Sequence, residues 1–334
     1  MIKSFVKEKL GFVFLPFYKI LLIFQNYFFD MMAYLRFSSV FGTMNEFNRI
    51  ESHIIIYYHS LEKGMLHDER RVRFGKAKIE AILKFLKMEL VLLQRERSQL
   101  KQAALVLTEY YSFHSDLNVS INDYFNEDDF NFLKHNYLNN FNSSAVIKSQ
   151  LNDFYANVNS NFQEFSQSRK SIRDFSDVMV SREKILDAVK LASTSPSVCN
   201  RQTCKIYLIE DKNLVRSVLK VQGGLTGYMD TINQILILTS DRKYFYSIGE
   251  RNQYYVDGGI FLMNLLYCLH YFKIACCPAN WAKTYNDEKL ILDKLKISKS
   301  EKVICLVAIG NPNSEVVYTM SKRRDINEYF KIID

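Results

Sequence analysis

Glycine and proline are scarce in this chain, with 11 Gly and 4 Pro among 334 residues. Both punctuate loops and tight turns, so their shortage argues against a loop-rich β architecture and predicts a helix-dominated one. No Cys-x-x-Cys spacing occurs among the six cysteines, and the adjacent Cys276-Cys277 pair does not have a zinc spacing; no metal is expected. The cysteines all lie from Cys199 onward, mostly inside apolar runs such as Leu265–Leu269, the usage of a reduced cytosolic interior. A G-x-G-x-x-G fingerprint is also missing, which argues against a Rossmann dinucleotide site. Leu10 to Phe29 is apolar, but Pro16, Lys19, Gln25 and Asn26 interrupt it too often for a membrane span. It also lacks the small-residue exit site of a cleaved leader.

What is present reads as a folded globular protein: 48% hydrophobic and 24% charged residues, with 25 Phe and 21 Tyr. The formal charge of +8 fits either an anionic ligand or a basic surface near a membrane. Nucleic acid is not expected, because no recognition signature accompanies the charge. Two readings stay open for residues 10–29: a helix packed on its own domain, or an interfacial helix on an anionic membrane, with Lys3, Lys7 and Lys9 preceding it.

Residues 1–115 carry a helical pattern, clearest from Lys76 to Tyr111, where Ile79, Ile82, Leu83 and Leu86 recur at three- and four-residue steps. Residues 116–165 are polar and Asn-rich, with short amphipathic pieces such as Phe130–Tyr137, and read as a boundary. The texture then alternates. Ser181 caps a helix whose expected inner face is Ile185, Leu186, Val189 and Leu191. Thr203–Glu210 alternates like a strand, while Gln234–Thr239 and Val303–Ile309 are continuous apolar runs of buried-strand type. Val256–Phe272 is apolar nearly all round and predicts a helix buried on most sides. The expected fold class is α+β.

Four motifs carry the chemistry. Arg169-Lys170-Ser171-Ile172-Arg173-Asp174-Phe175 places three cations and a hydroxyl within five residues, which suits a phosphate and an electron-rich ring. Read alone it is a solvated basic loop before a helix. Pro196-Ser197-Val198-Cys199-Asn200-Arg201-Gln202 is a polar turn leading into a strand, and read alone is an ordinary helix end. Asp257-Gly258-Gly259 opens the long apolar helix. Ile309-Gly310-Asn311-Pro312 is followed by Ser321-Lys322-Arg323-Arg324.

Together, in this order, these motifs resemble the flavin-binding signature of the nitroreductase family, roughly R-x-S-x-R-x-F followed by A-P-S-x-x-N-x-Q. The resemblance covers about the last half of the chain. It implies a nitroreductase-like fold over 161–334, with helices around a central mostly antiparallel sheet, and an all-helical extension over 1–160. It implies FMN at a homodimer interface and NAD(P)H as electron donor. Arg169, Lys170 and Ser171 would take the phosphate and ribityl chain, with Arg173 toward the ribityl and pyrimidine side. Arg323 or Arg324, with Arg323 favoured, would meet the phosphate. Pro196, Ser197, Val198, Asn200 and Gln202 match the segment that reaches the flavin across the dimer. Backbone N–H groups of Asn280 and Trp281 match a loop against flavin N5, and the Trp281 ring is either a wall above the flavin or core. Thr203-Cys204 departs from the family's Pro-Trp after the Gln.

The N-terminal half contains His59-Ser60-Leu61-Glu62-Lys63-Gly64-Met65 and Arg73-Phe74-Gly75. This resembles a stretch of nitroreductase-like proteins of surface-polysaccharide gene clusters, which carry a similar helical extension. His59 and Lys63 would share a helical face with Glu62 adjacent, either as a capped helix end or as a polar lid over a substrate pocket. The expected function is hydride transfer from NAD(P)H through FMN to a small-molecule acceptor, in a cytoplasmic or membrane-peripheral protein. The rival is a membrane-peripheral accessory protein of glycan assembly that retains the flavin fold without turnover.

Overall fold

The computed structural model describes residues 2–40, 46–67, 69–138 and 144–333, with side chains from residue 16 onward. The chain is α+β, with helices followed by a mixed helical and antiparallel half. Helix α1 (Ile2–Phe37) leads into α2 (Phe47–Met65), α3 (Lys76–Leu86), α4 (Glu89–Leu92), α5 (Ser98–Asp116) and α6 (Glu127–Tyr137). In α2 the buried positions Ile50, Ile54, Tyr58, Leu61 and Met65 recur every three or four residues, so one stripe faces α3 and α5. The stretch from Lys76 to Tyr111, where the helical pattern is clearest, holds three helices. Its apolar period persists, but Arg97 is extended and the helix restarts behind it at Ser98.

Strand β1 (Val146–Gln150) pairs antiparallel with β6 (Glu315–Thr319) in a two-stranded ribbon. Helices α7 (Leu151–Phe154) and α8 (Phe162–Ser168) follow, and Phe154, Tyr155 and Val158 join the core of the C-terminal half. The ribbon and this short helix therefore cross the division expected at 160/161. The polar composition of 116–165 conceals the strand, since β1 is short and half-exposed.

The main sheet has the order β2-β3-β5-β4, antiparallel throughout, from β2 (Cys204–Ile209), β3 (Gln234–Asp241), β4 (Ala275–Asn280) and β5 (Glu301–Gly310). All eight residues of β3 are buried because helices cover both faces. Ile235, Ile237, Leu306 and Ala308 meet α10 (Lys212–Gln222) and α12 (Tyr285–Leu295). Leu236, Val307 and Ile309 meet α9 (Arg182–Ala192) and α11 (Gln253–Tyr271) on the opposite face.

Two expected helix faces need correction. The inner face of α9 is Ile185, Ala188 and Ala192, while Leu186 and Leu191 are exposed. Helix α11 is closed on one side only: Leu265, Leu266 and Leu269 point inward, but Tyr255, Val256, Ile260 and Met263 are exposed in the single chain. Gly258 is where α11 crosses the sheet most closely, since a Cβ there would lie 2.7 Å from Ile304. Helix α1 does not pack on its domain as a surface helix does. Asp30 meets Arg251 at 2.7 and 2.8 Å, while Phe17, Phe24, Phe28, Tyr34 and Phe37 are exposed. The side chains of Lys3, Lys7 and Lys9 lie outside the described residues. Among the described residues, no helix is long and apolar enough to cross a membrane.

Candidate functional site

The four motifs meet in two pairs. Phe175 of the first lies on Gly310 of the fourth, so closely that a Cβ at Gly310 would fall 2.6 Å from the ring. Ser176 N–H donates to Asn311 O at 2.9 Å, and Asn313 donates to Asp174 at 3.0 Å. Ile172 N–H donates to Cys276 O at 3.0 Å, so the basic loop runs beside β4, one edge of the sheet. In the second pair, Val198 N–H points at both carboxylate oxygens of Asp257 at 3.3 Å, and Gln253 donates to the same carboxylate at 2.8 Å. This pair leads into β2, the opposite edge. One chain therefore keeps Pro196, Ser197, Val198, Asn200 and Gln202 apart from the basic loop.

That turn is built for exposure of its backbone. Cys199, Asn200 and Gln202 all have positive φ, between 49° and 54°, a costly region for residues with a Cβ. Ser197 Oγ accepts from Gln202 N–H at 2.9 Å and holds the turn closed. Thr203, where the sequence departs from the family pattern, is buried and shares a 2.7 Å hydroxyl contact with Ser240, which anchors the entry to β2.

Five cations gather at the β4 edge. Arg169, Lys170 and Arg173 come from the basic loop, Lys63 from α2, and Arg323 from the C-terminal segment. Among the described residues none of the five forms an ion pair. Arg173 is only 7% exposed, and its guanidinium has one long contact, 3.5 Å to Ser171 O. Nη1 of Arg169 is buried without a partner. Lys170 donates to Gln167 O at 2.7 Å. Burial, then Arg169 and Arg323, holds the Lys170 ammonium below its ordinary pKa. Lys63 is lowered in the same way by burial and by Arg173 beside it. His270, buried behind the loop and touching Ser168 Oγ at 2.8 Å, is depressed to about 4 by burial and by Arg169 and Lys170. A buried guanidinium nitrogen with nothing to donate to, among like charges, is costly unless an acceptor joins it.

The N-terminal helices are part of this edge. Arg324 does not face it: its fork meets Glu51 at 2.8 and 3.0 Å and Glu328 at 3.1 Å, which ties the C-terminal segment to α2. That engagement separates Arg324 from Arg323, a distinction the adjacent pair in the sequence does not reveal. Gln99 donates to Lys322 O at 3.0 Å and fixes the same segment from α5. His59 pairs with the adjacent Glu62 at 3.2 Å. Glu62 is buried and also accepts from Gln102 at 2.8 Å. Gly64 lies inside α2 rather than ending it, and it admits the Phe74 ring, which a Cβ would meet at 2.4 Å.

The segment expected as a loop, Cys276–Trp281, is mostly strand β4, with Pro278 tolerated because this is an edge strand. Trp281 is 3% exposed and belongs to the core, so its ring is packing and not an open wall. Gln222 donates to Asn280 O at 2.8 Å and accepts from Gly224 N–H at 2.7 Å. It fixes the end of β4 from α10. Beyond Arg173 lies a cavity of about 470 Å³ whose lining includes His67, stacked 4.4 Å from Tyr228, and four carboxylates, Glu69, Asp174, Asp230 and Glu315. Among the described residues no cluster of His, Cys, Asp or Glu is arranged to hold a metal ion.

The geometry thus defines an α+β protein whose cations gather, without an ion pair among the described residues, at a sheet edge. Residues 167–226 match the family model described as Nitroreductase family, and this segment carries the basic loop and the Pro196–Gln202 turn together. No curated protein matches the chain in sequence. Among solved structures, a nitroreductase-like protein from Streptococcus mutans is 18% identical with a TM-score of 0.45, covering 52% of this chain and 98% of its own. An FMN-dependent nitroreductase from Clostridium difficile is 21% identical with a TM-score of 0.40, covering 45% and 86%. A protein assigned as a nitroreductase, in complex with FMN, from Desulfovibrio desulfuricans is 19% identical with a TM-score of 0.45, covering 52% and 98%.

Proposed function

We propose that this protein is an FMN-dependent oxidoreductase that works as a homodimer, with NAD(P)H as electron donor. The observation that carries the reading is the buried Nη1 of Arg169, without a partner among the described residues, beside cations that form no ion pair among them, within the segment that matches the nitroreductase family. Arg169, Lys170 and Arg323 would hold the phosphate, and Ser171 the ribityl chain. Arg173, whose charge is permanent, would lie toward the ribityl and pyrimidine side. Pro196, Ser197, Val198, Asn200 and Gln202 would come from the second copy, because in one chain they sit at the other sheet edge. Asn280 and Trp281 would offer backbone N–H groups to the reactive edge of the ring. When bound, FMN supplies two-electron chemistry, accepting a hydride from NAD(P)H and passing it to an acceptor in a ping-pong order. The protein's own task is to seat anions and exclude competing charge.

Peripheral membrane contact through α1 and a place in surface-polysaccharide assembly belong to the same reading. The outward aromatic face of α1 supports the first, and the resemblance of the His59–Met65 stretch supports the second. The outward face of α1 also favours the rival, an accessory flavin-fold protein without turnover. The absorption spectrum of the purified protein, before and after anaerobic NAD(P)H, separates these. A bleached flavin band supports the enzyme, a flavin band that never bleaches supports the rival, and failure to take up added FMN removes both.

A further inference from the structure

Residues 169–171 form a short span pinned at both ends. Beyond it, Ile172 N–H donates to Cys276 O on β4 at 3.0 Å. Before it, Ser168 closes α8, and its Oγ lies 2.8 Å from Nε2 of His270 on α11. Three residues between two anchors, none of them glycine, leave the backbone little freedom. The anchors therefore decide where the Arg169 side chain starts. Arg169 depends on this placement, since its buried Nη1 has no partner among the described residues to hold it.

The contact between Ser168 and His270 has one direction. The Ser168 hydroxyl has a single hydrogen, and Oγ donates it to Phe165 O at 2.8 Å. Oγ therefore accepts from His270, which carries its hydrogen on Nε2. The imidazole has no room to swing away. It is 2% exposed, and the rings of Phe154, Tyr155 and Phe165 lie 5.6, 5.3 and 5.5 Å from it between centroids. Phe165 also meets Tyr267, one turn back on α11, at 5.6 Å, so α8 is held to α11 by two ring contacts and one hydrogen bond. A neutral donor suits this place, because it supplies the bond without adding a charge behind Arg169.

We infer that His270 is a positioning residue for the phosphate site: through Nε2–H it fixes Ser168, and through Ser168 it sets the place of Arg169. This rests on the flavin reading and adds to it a residue of α11 that lies in none of the four motifs.

The test titrates the full-length, flavin-free protein with FMN and with riboflavin, which lacks only the phosphate, and follows flavin fluorescence. The wild-type protein is expected to prefer FMN. His270→Leu keeps an apolar side chain among the three rings but has no donor. It is expected to cut the FMN preference about ten-fold, while riboflavin affinity stays within about two-fold. His270→Gln presents a donor near the place of Nε2 and is expected to retain the preference. Ser168→Ala removes the acceptor and is expected to lose the same factor, with no further loss when combined with His270→Leu. Equal weakening of both flavins in His270→Leu would make the residue part of the scaffold alone and overturns the inference. So does an unchanged preference in His270→Leu, a His270→Gln protein as impaired as His270→Leu, or additive losses from His270→Leu and Ser168→Ala. If His270→Leu does not fold, Ser168→Ala alone carries the comparison, and an unchanged preference there overturns the inference. A wild-type protein that binds neither flavin, or both alike, would instead remove the underlying reading, which the first titration reveals before any variant is made.

Discussion

Arg324 and Glu51 meet through two parallel hydrogen bonds, 3.0 Å from Nη1 to Oε1 and 2.8 Å from Nη2 to Oε2. The pair joins the last segment of the chain to the second helix, and Glu51 is buried at 3% exposure. Its neighbour Arg323 is exposed and has no ion pair among the described residues. Two adjacent arginines thus differ: one straps the tail, and the other is exposed and left without an ion pair among the described residues.

Their variants should therefore split. Arg324→Met leaves Glu51 buried without its partner and is expected to lower stability by about 3 kcal/mol, the lower end for breaking a buried pair. Arg323→Met is expected to leave stability within about 0.5 kcal/mol and to weaken FMN binding about ten-fold. Urea denaturation of the flavin-free protein and a fluorescence titration with FMN measure the two effects. The opposite split would give the phosphate to Arg324.

Much of the C-terminal fold is legible in the sequence. The apolar runs at 234–239 and 303–309 are buried strands because helices cover both sheet faces, and a run with no polar alternation has few other homes. The basic loop and the Pro196–Gln202 turn are legible as motifs, but their separation is not. That follows from strand order, which puts the edge strands β2 and β4 two strands apart. The reach of α2 to the C-terminal half is equally hidden, since nothing local to it signals that Tyr228 donates to Lys63 O. Strand β1 escapes detection for another reason: a five-residue, half-exposed ribbon has no burial pattern strong enough to compete with its polar flanks.

Gly258 lies on the sheet-facing side of α11 with no room for a side chain, since a Cβ would meet three atoms of Ile304 at 2.7 to 3.0 Å. Gly258→Ala gains helix propensity but overpacks the helix–sheet contact, and the second effect is expected to win by about 1–2 kcal/mol. Ile304→Ala in the same chain removes the obstructing atoms and is expected to recover part of that loss. A double-mutant cycle in urea measures the coupling, and strictly additive effects would show that Gly258 has another role.

His270 links the basic loop to acid stability. Its folded pKa is about 4, against an ordinary 6.5, because burial and the neighbouring Arg169 and Lys170 disfavour the charged ring. The unfolded chain therefore binds more protons between these values, so stability falls as pH drops from about 6.5 toward 4. The integrated loss is roughly 3 kcal/mol at one pKa unit per 1.36 kcal/mol. Denaturation midpoints at pH 7 and pH 4.5 are expected to differ less in His270→Gln, which keeps a polar partner for Ser168 Oγ and does not titrate. Identical slopes in the two proteins would place the acid sensitivity elsewhere.

The exposed face of α11 carries the proposed two-fold assembly. Val256, Ile260 and Met263 lie one helical turn apart, each between 39% and 52% exposed, on a helix whose other side is sealed against the sheet. The Pro196–Gln202 turn is fixed to the start of this helix through Asp257, so a second copy docking on α11 would bring its own turn toward the interface. Ile260→Asp adds a charge to the apolar face without touching the single chain's core. It is expected to convert a dimer to a 39.3 kDa monomer in equilibrium sedimentation. Because the proposed flavin site draws on both copies, the same substitution should weaken FMN binding although it lies outside the cationic loop. The helical content of the variant should not change, since Ile260 is 41% exposed in the single chain. A monomer that still binds FMN with wild-type affinity would mean that one chain completes the site, and the turn at 196–202 would then have no part in it.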